Sequence, residues 1–236
     1  MTTFSKKDQR TLALISEEGL KKLKASHVVL FGLGGVGSYT CEALARAGIG
    51  RLKLIDGDVI DETNINRQLY ALHSTIGRPK TELAAERCRD IDDEVIINTC
   101  SRFIKADEAA DFLDESSKEH LIDYVVDAID MVSTKIELAV YCSKAGIPLI
   151  SCCGTGNKLH PELLRIADIY DTSVCPLCRV LRRELKARDI PRLTVCYSPE
   201  APKKTGDRTP ASISYVPSAA GLLIASYVVN GLLGET

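Results

Sequence analysis

The chain has 236 residues, 45% of them apolar and 26% charged, which fits one globular unit and excludes a disordered or repeat protein. Lys and Arg number 30 against 32 Asp and Glu, a net charge of −2, so no bulk field favours nucleic acid or an anionic membrane, and such binding would need a local patch. Nine cysteines and a start, MTTFSKKDQR, without an apolar segment lead us to expect reduced thiols and a cytoplasmic protein rather than a secreted disulfide scaffold.

Residues 5–25 are polar with Leu12, Leu20 and Leu23 and predict one or two short helices. The run His27 to Phe31 predicts a buried strand that ends in a glycine loop, Gly32 to Gly37, followed by a helix over 38–47. A second strand is expected at 51–56, then a polar loop over 57–77 rich in Asp, Asn and Thr. Helices over 79–90, 107–118 and 133–144 alternate with strands at 94–100, 124–128 and 148–152. Beyond residue 153 the pattern loosens into strands at 163–170, 193–198 and 212–216, a basic helix at 175–188, a Pro, Lys and Gly loop at 199–211 and a C-terminal apolar helix. The longest apolar stretch, 219–233, is short for a span of about 20 residues and reads as a buried helix, not a membrane segment. Strand and helix in alternation predict an α/β fold, a Rossmann-like, doubly wound, mostly parallel sheet with an antiparallel-strand C-terminal extension. We expect a nucleotide-binding half over 1–155 and a substrate and dimer half over 156–236, joined as one continuous domain.

The loop Gly32-x-Gly34-x-x-Gly37 lies between strand and helix. Glycines permit the tight turn and close approach to a phosphate, and the helix start offers free N–H groups. Asp56 follows Gly37 by 19 residues at the end of the second strand, where a carboxylate can accept from ribose hydroxyls. A dehydrogenase would share these features. The next loop separates the two: Asp56-Gly-Asp58, then Asn64-x-Asn66-Arg67-Gln68, then Lys80. A triphosphate carries more charge than a dinucleotide, and Arg67 and Lys80 can neutralise it. Asn64 and Gln68 could either hold the loop or bond phosphate oxygens. Asp127-Ala-Ile-Asp130 closes the fourth strand at the mouth of the crevice, where Asp130 could hold Mg²⁺ together with phosphate oxygens.

With Gly35 inside the glycine loop, this ordered set resembles the ThiF/MoeB/HesA adenylating enzymes. The resemblance implies that a carboxylate attacks ATP and becomes an acyl-adenylate. It implies that Gly35 lies against the nucleotide, that Asp56 binds ribose, that Asn64, Arg67 and Lys80 contact phosphates, and that Asp130 holds Mg²⁺. It also implies a homodimer in which Arg10 reaches the partner subunit's γ-phosphate. From the residues alone, Arg10 is a solvated helix charge.

The second half divides the family. Sulfur-carrier activators typically carry two CxxC pairs for a structural zinc, which needs four ligands. This chain has one such pair, Cys175-Pro-Leu-Cys178, beside the adjacent Cys152 and Cys153 and the lone Cys196. Buried or helix-start thiols are the expected reading. Instead, Asp171-Thr-Ser-Val-Cys-Pro-Leu177, Arg179-x-x-Arg182-Arg183-Glu-Leu185, Val195-x-Tyr-Ser198 and Ser212-Ile-Ser-Tyr-Val-Pro217 resemble the tRNA threonylcarbamoyladenosine dehydratase branch. That implies activation of a threonyl carboxylate on tRNA and ring closure with loss of water. A sulfur-transfer partner protein occurs among the relatives, although no cysteine here stands out for it.

The segment 179–192 carries a local charge of +4. Arg179, Arg182, Arg183 and Lys186 fall on one helical face and Leu177, Leu181 and Leu185 on the other, so a basic stripe facing RNA is expected, with Lys203, Lys204 and Arg208 adding to it. A merely solvated face is the alternative. His27, His73, His120 and His160 show no ligand spacing, and Cys41, Cys88, Cys100 and Cys142 read as packing residues.

Overall fold

The structure, a computed structural model, describes residues 5–206 and 210–235, so Arg208 lies outside the described residues. Seven strands form one sheet: β1 His27–Phe31, β2 Arg51–Ile55, β3 Ile96–Cys100, β4 Tyr124–Asp127, β5 Leu149–Cys152, β6 Arg165–Asp168 and β7 Thr194–Tyr197. Their order is β3-β2-β1-β4-β5-β7-β6. All pairs are parallel except β6 with β7. The helices are α1 Gln9–Ala25, α2 Gly37–Ala47, α3 Lys80–Ile91, α4 Ala109–Glu119, α5 Val132–Ala145, α6 Pro176–Lys186 and α7 Tyr215–Leu233.

The strand sequences explain the two layers. Successive side chains point to opposite faces, and here both faces are covered. In β1, Val28 and Leu30 enter one core with Leu44 of α2, Leu83 of α3 and Ile224 of α7. Val29 and Phe31 enter the other with Leu113 of α4, Leu138 of α5 and Leu181 of α6. This alternation makes β1 wholly buried. α1 is broken at Ser16, whose φ of 67° is left-handed, so the segment is two short helices joined by a kink.

One expectation for the C-terminal part needs correction. Residues 212–216 form no strand. Asn66 Nδ2 donates to the Ser212 carbonyl at 3.1 Å, and just before the segment Asn157 Oδ1 accepts the Ala211 N–H at 2.7 Å. Tyr215 already opens α7, and Pro217 fits within the first turn, where its missing N–H costs no helical bond. α7 therefore begins ahead of the apolar stretch 219–233 and is 19 residues long, which by length and composition is enough to cross a membrane, with 39% of its most apolar window buried. One face packs on α2, where Thr40 Oγ1 donates to the Gly221 carbonyl at 3.1 Å. The other face leaves Leu222 half exposed.

Candidate active site

The strand order reverses direction between β1 and β4, and crevices form at the C-terminal ends of strands at such a point. A cleft of about 920 Å³ lies there, lined by the ends of β1, β2, β4 and β5 and by the segments that follow them. Gly32, Gly34, Gly35, Asp56, Asp58, Asn64, Arg67, Gln68, Lys80 and Asp130 all line it. Residues from five sequence segments thus converge on one space.

The glycine loop has a definite construction. Gly32 has φ +89° and a Cβ there would meet the Ala128 carbonyl at 2.7 Å, so the β1 exit runs against the β4 exit. Gly37 does not line the cleft as a nucleotide contact would. It is buried, and a Cβ on it would stand 1.8 Å from the Gly32 carbonyl oxygen. Its part is close packing of α2 on the β1 turn. The Asp56 carboxylate fastens this loop, accepting the Leu33 N–H at 2.7 Å and the Asp58 N–H at 2.8 Å. Burial pushes its pKa up, while the Lys80 charge and these two donors oppose the shift.

Lys80 is 4% exposed, and its Nζ donates to Asp58 Oδ2 at 2.8 Å. A buried ammonium at the α3 N-terminus faces the cleft, with its partner half in solvent. The Arg67 guanidinium donates to the Thr63 carbonyl at 2.9 Å and to Asn66 Oδ1 at 2.8 Å, which sets the direction of its remaining donors. Asn64 resolves toward loop holding: its Oδ1 accepts the Asp61 N–H at 3.2 Å while Asp61 caps Thr63. Asn66 is exposed and does not line the cleft; it bridges instead to Ser212. Gln68 is buried in the cleft wall, and its Oε1 has no hydrogen-bond partner. A buried amide oxygen left unpaired costs about 1–3 kcal/mol, so this atom fits a polar ligand.

Asp130 is exposed at the mouth, while Asp127, three residues earlier, is buried. Lys135 Nζ donates to Asp127 Oδ1 at 2.9 Å, to Ser151 Oγ at 3.2 Å and to the Cys152 carbonyl at 2.8 Å. This fully buried ammonium ties the ends of β4 and β5 beneath the cleft. Lys135→Met is expected to lower stability by about 3–5 kcal/mol, because it leaves the Asp127 charge unpaired in the core. Chemical denaturation checks this.

Arg10 is exposed on α1 and does not line this cleft. On α6, Leu181 and Leu185 are buried and Arg179, Arg183 and Lys186 exposed, as an amphipathic helix requires. Arg182 departs from the expected stripe. It is half-buried, and its guanidinium donates to the Thr172 carbonyl at 2.8 Å and also to the Thr172 hydroxyl. Arg182 therefore ties α6 to the preceding loop. Arg183 pairs with Glu184 at 2.7 Å on the surface, a contact worth little. Cys175 and Cys178 are buried at the start of α6, and among the described residues no group of three or more His, Cys, Asp or Glu could hold a metal.

The ThiF family pattern matches residues 7–236. The chain belongs to the ThiF family. It is 40% identical over 239 residues to the tRNA threonylcarbamoyladenosine dehydratase of Bacillus subtilis, covering 94% of this chain and 92% of that protein. It is 38% identical over 177 residues to the enzyme of that name from Escherichia coli, with 75% and 64% covered. The crystal structure of E. coli tRNA N6-threonylcarbamoyladenosine dehydratase in complex with ATP superposes with a TM-score of 0.90 at 30% identity, over 99% of this chain and 98% of that one. The ThiF assignment and the Rossmann-like sheet expected from the motifs therefore stand.

Several cleft residues escaped the motif reading. Arg102 and Phe103 follow β3, and Lys158 and Asn157 follow β5. Their signal was positional, since each falls just after the C-terminal end of a parallel strand. Phe103 lies against Gly57, where a Cβ would come within 2.6 Å of its ring. Asn157 has a left-handed φ of 60° and binds the 211 segment on both its backbone and its side chain.

Proposed function

We propose that this protein is an ATP-dependent tRNA threonylcarbamoyladenosine dehydratase. One observation carries the reading: Arg67, Lys80 and Asp130 meet the glycine loop in one cleft that residues from 152–158, the α6 start and 210–217 also line. The likeness to named dehydratases along nearly the whole chain supports the substrate. The threonyl carboxylate attacks the α-phosphorus of ATP, and pyrophosphate leaves. The carbamoyl group then closes on the acyl carbon and AMP leaves, so the modified nucleoside loses one water.

In this reading residues 1–155 bind ATP and 156–236 the tRNA end. The glycine-loop amides of Gly34 and Gly35, just before α2, approach phosphate, and Asp56 turns a free lone pair toward ribose. Gln68 takes a donor from the nucleotide, while Asn64 and Asp58 hold Arg67's loop and Lys80 in place. Arg67 and Lys80 balance the charge that grows on the phosphates. Asp130 alone is a sufficient protein ligand for Mg²⁺, because this ion shares its shell with phosphate oxygens and water, and it would neutralise phosphate charge there. Arg10, exposed and outside its own cleft, suits a site completed across a homodimer, as does the uncovered face of α7. The protein acts in the cytoplasm, and a sulfur-transfer partner protein, if one docks, acts outside the steps above, which move no sulfur. A carrier-protein activator is disfavoured by the single CxxC pair.

The test is release of AMP that depends on tRNA bearing the uncyclised nucleoside. AMP release without that tRNA requirement contradicts the substrate assignment. For the tRNA surface we take Arg179, Arg183 and Lys186 as the phosphate contacts and Arg182 as their support. Arg179→Glu with Arg183→Glu is expected to weaken tRNA binding about tenfold or more and to lower its salt slope, with ATP binding retained. Filter binding across salt concentrations checks this.

A further inference from the structure

Three lysines are buried, and they differ in one respect. Lys80 Nζ has Asp58 at 2.8 Å and Lys135 Nζ has Asp127 at 2.9 Å. Lys158, 4% exposed, has no carboxylate within ion-pair distance among the described residues. Among the described residues its Nζ donates to two carbonyls, Ser198 at 2.7 Å and Glu200 at 3.0 Å. A neutral amine has two N–H donors and one lone pair. Two carbonyls match that inventory, and the third direction is left for the lone pair. The residue lines the cleft as part of the 152–158 segment that follows β5.

Resting on the dehydratase reading, we propose that Lys158 is the general base of ring closure. A carbamoyl atom bonds the acyl carbon, the bond from that carbon to the AMP oxygen breaks with its electron pair leaving on phosphate, and the carbamoyl N–H proton passes to Nζ. Solvent takes the proton afterwards, so no other reactant is needed.

The surroundings favour this assignment. Burial moves the Lys158 pKa down, toward the neutral amine. The charged or titratable groups around it, Glu200, Cys175 and Cys178, work the other way. Glu200 spends its carboxylate on the Leu159 and His160 N–H groups at 3.0 Å each. The Cys175 thiol is pushed far up by its bond with Cys178 and by burial, and Cys178 is pushed up to about 12 by Cys153 and burial. Neither thiol is a base at neutral pH. Of the cleft carboxylates, Asp56 accepts backbone N–H groups, Asp58 pairs with Lys80 and Asp61 holds Thr63, and Asp130 is the one assigned above to Mg²⁺.

Lys158→Arg separates the roles. Arginine can still donate to both carbonyls but holds its proton. With tRNA bearing the uncyclised nucleoside, ATP–pyrophosphate exchange is expected to stay within about tenfold of wild type, while single-turnover ring closure falls about 100-fold or more. AMP-linked tRNA should accumulate. In the wild type, closure should slow as pH falls through the lysine pKa, and this limb should vanish in the variant. The wild-type profile needs no variant that must fold. Ring closure at the wild-type rate in Lys158→Arg, or equal losses in both steps, overturns the proposal, as does a wild-type profile without the limb. A wild type with no tRNA-dependent exchange at all contradicts the parent reading instead, and the proposal falls with it.

Discussion

Lys80→Ala is expected to lower AMP formation about 10²–10³-fold, the loss seen when one preorganised donor to a developing charge is removed. The effect should fall on chemistry rather than on folding. Lys80 is buried, but its partner Asp58 keeps half of its side chain in solvent, so no charge is stranded in the core. Arg67→Ala should cost a similar factor and, in addition, loosen the loop, because its guanidinium also holds the Thr63 carbonyl and the Asn66 side chain. Lys80→Arg should not restore the rate, since a planar fork does not fit a site shaped for a compact ammonium. ATP–pyrophosphate exchange checks all three. Near-normal exchange in Lys80→Ala would remove this residue from the phosphate-binding set.

Gly37→Ala is expected to cost about 3 kcal/mol or more, or to prevent folding. The added Cβ would lie 1.8 Å from the Gly32 carbonyl oxygen and 2.7 Å from its carbon. Both obstacles are backbone, so no side-chain rotation relieves them. The β1 turn must open, and with it the base of the cleft. Gly35→Ala makes the contrast. Its Cβ would stand 3.2 Å from the Pro217 ring and 3.3 Å from the Arg67 side chain, contacts that need a shift of a few tenths of an ångström and no opening of the backbone. That substitution should leave stability within about 1 kcal/mol and act on nucleotide affinity instead. Denaturation midpoints and ATP titrations of the two variants separate packing from binding.

Much of the first half was legible from local pattern. A parallel strand buried on both faces is a continuous apolar run, and β1, β4 and β5 read that way in the sequence. The glycine spacing and Asp56 marked the crevice, because turn chemistry is local. The second half depends on contacts far apart in the chain. β7 enters the sheet between β5 and β6, which no local signal specifies. A strand was expected at 212–216, but Asn66 bonds the Ser212 carbonyl and Tyr215 already opens α7. Periodicity placed Arg182 on the basic face, yet Thr172 holds its guanidinium. Lys158 carries no motif at all. Its character comes from burial and from two carbonyls 40 and 42 residues away in the chain.

The central claim is best tested on the nucleoside itself. The protein is incubated with Mg-ATP and tRNA carrying uncyclised threonylcarbamoyladenosine, and the digested nucleosides are weighed by mass spectrometry. The expected result is loss of one water from that nucleoside with stoichiometric AMP. An unchanged nucleoside mass, with or without AMP release, would contradict the assignment.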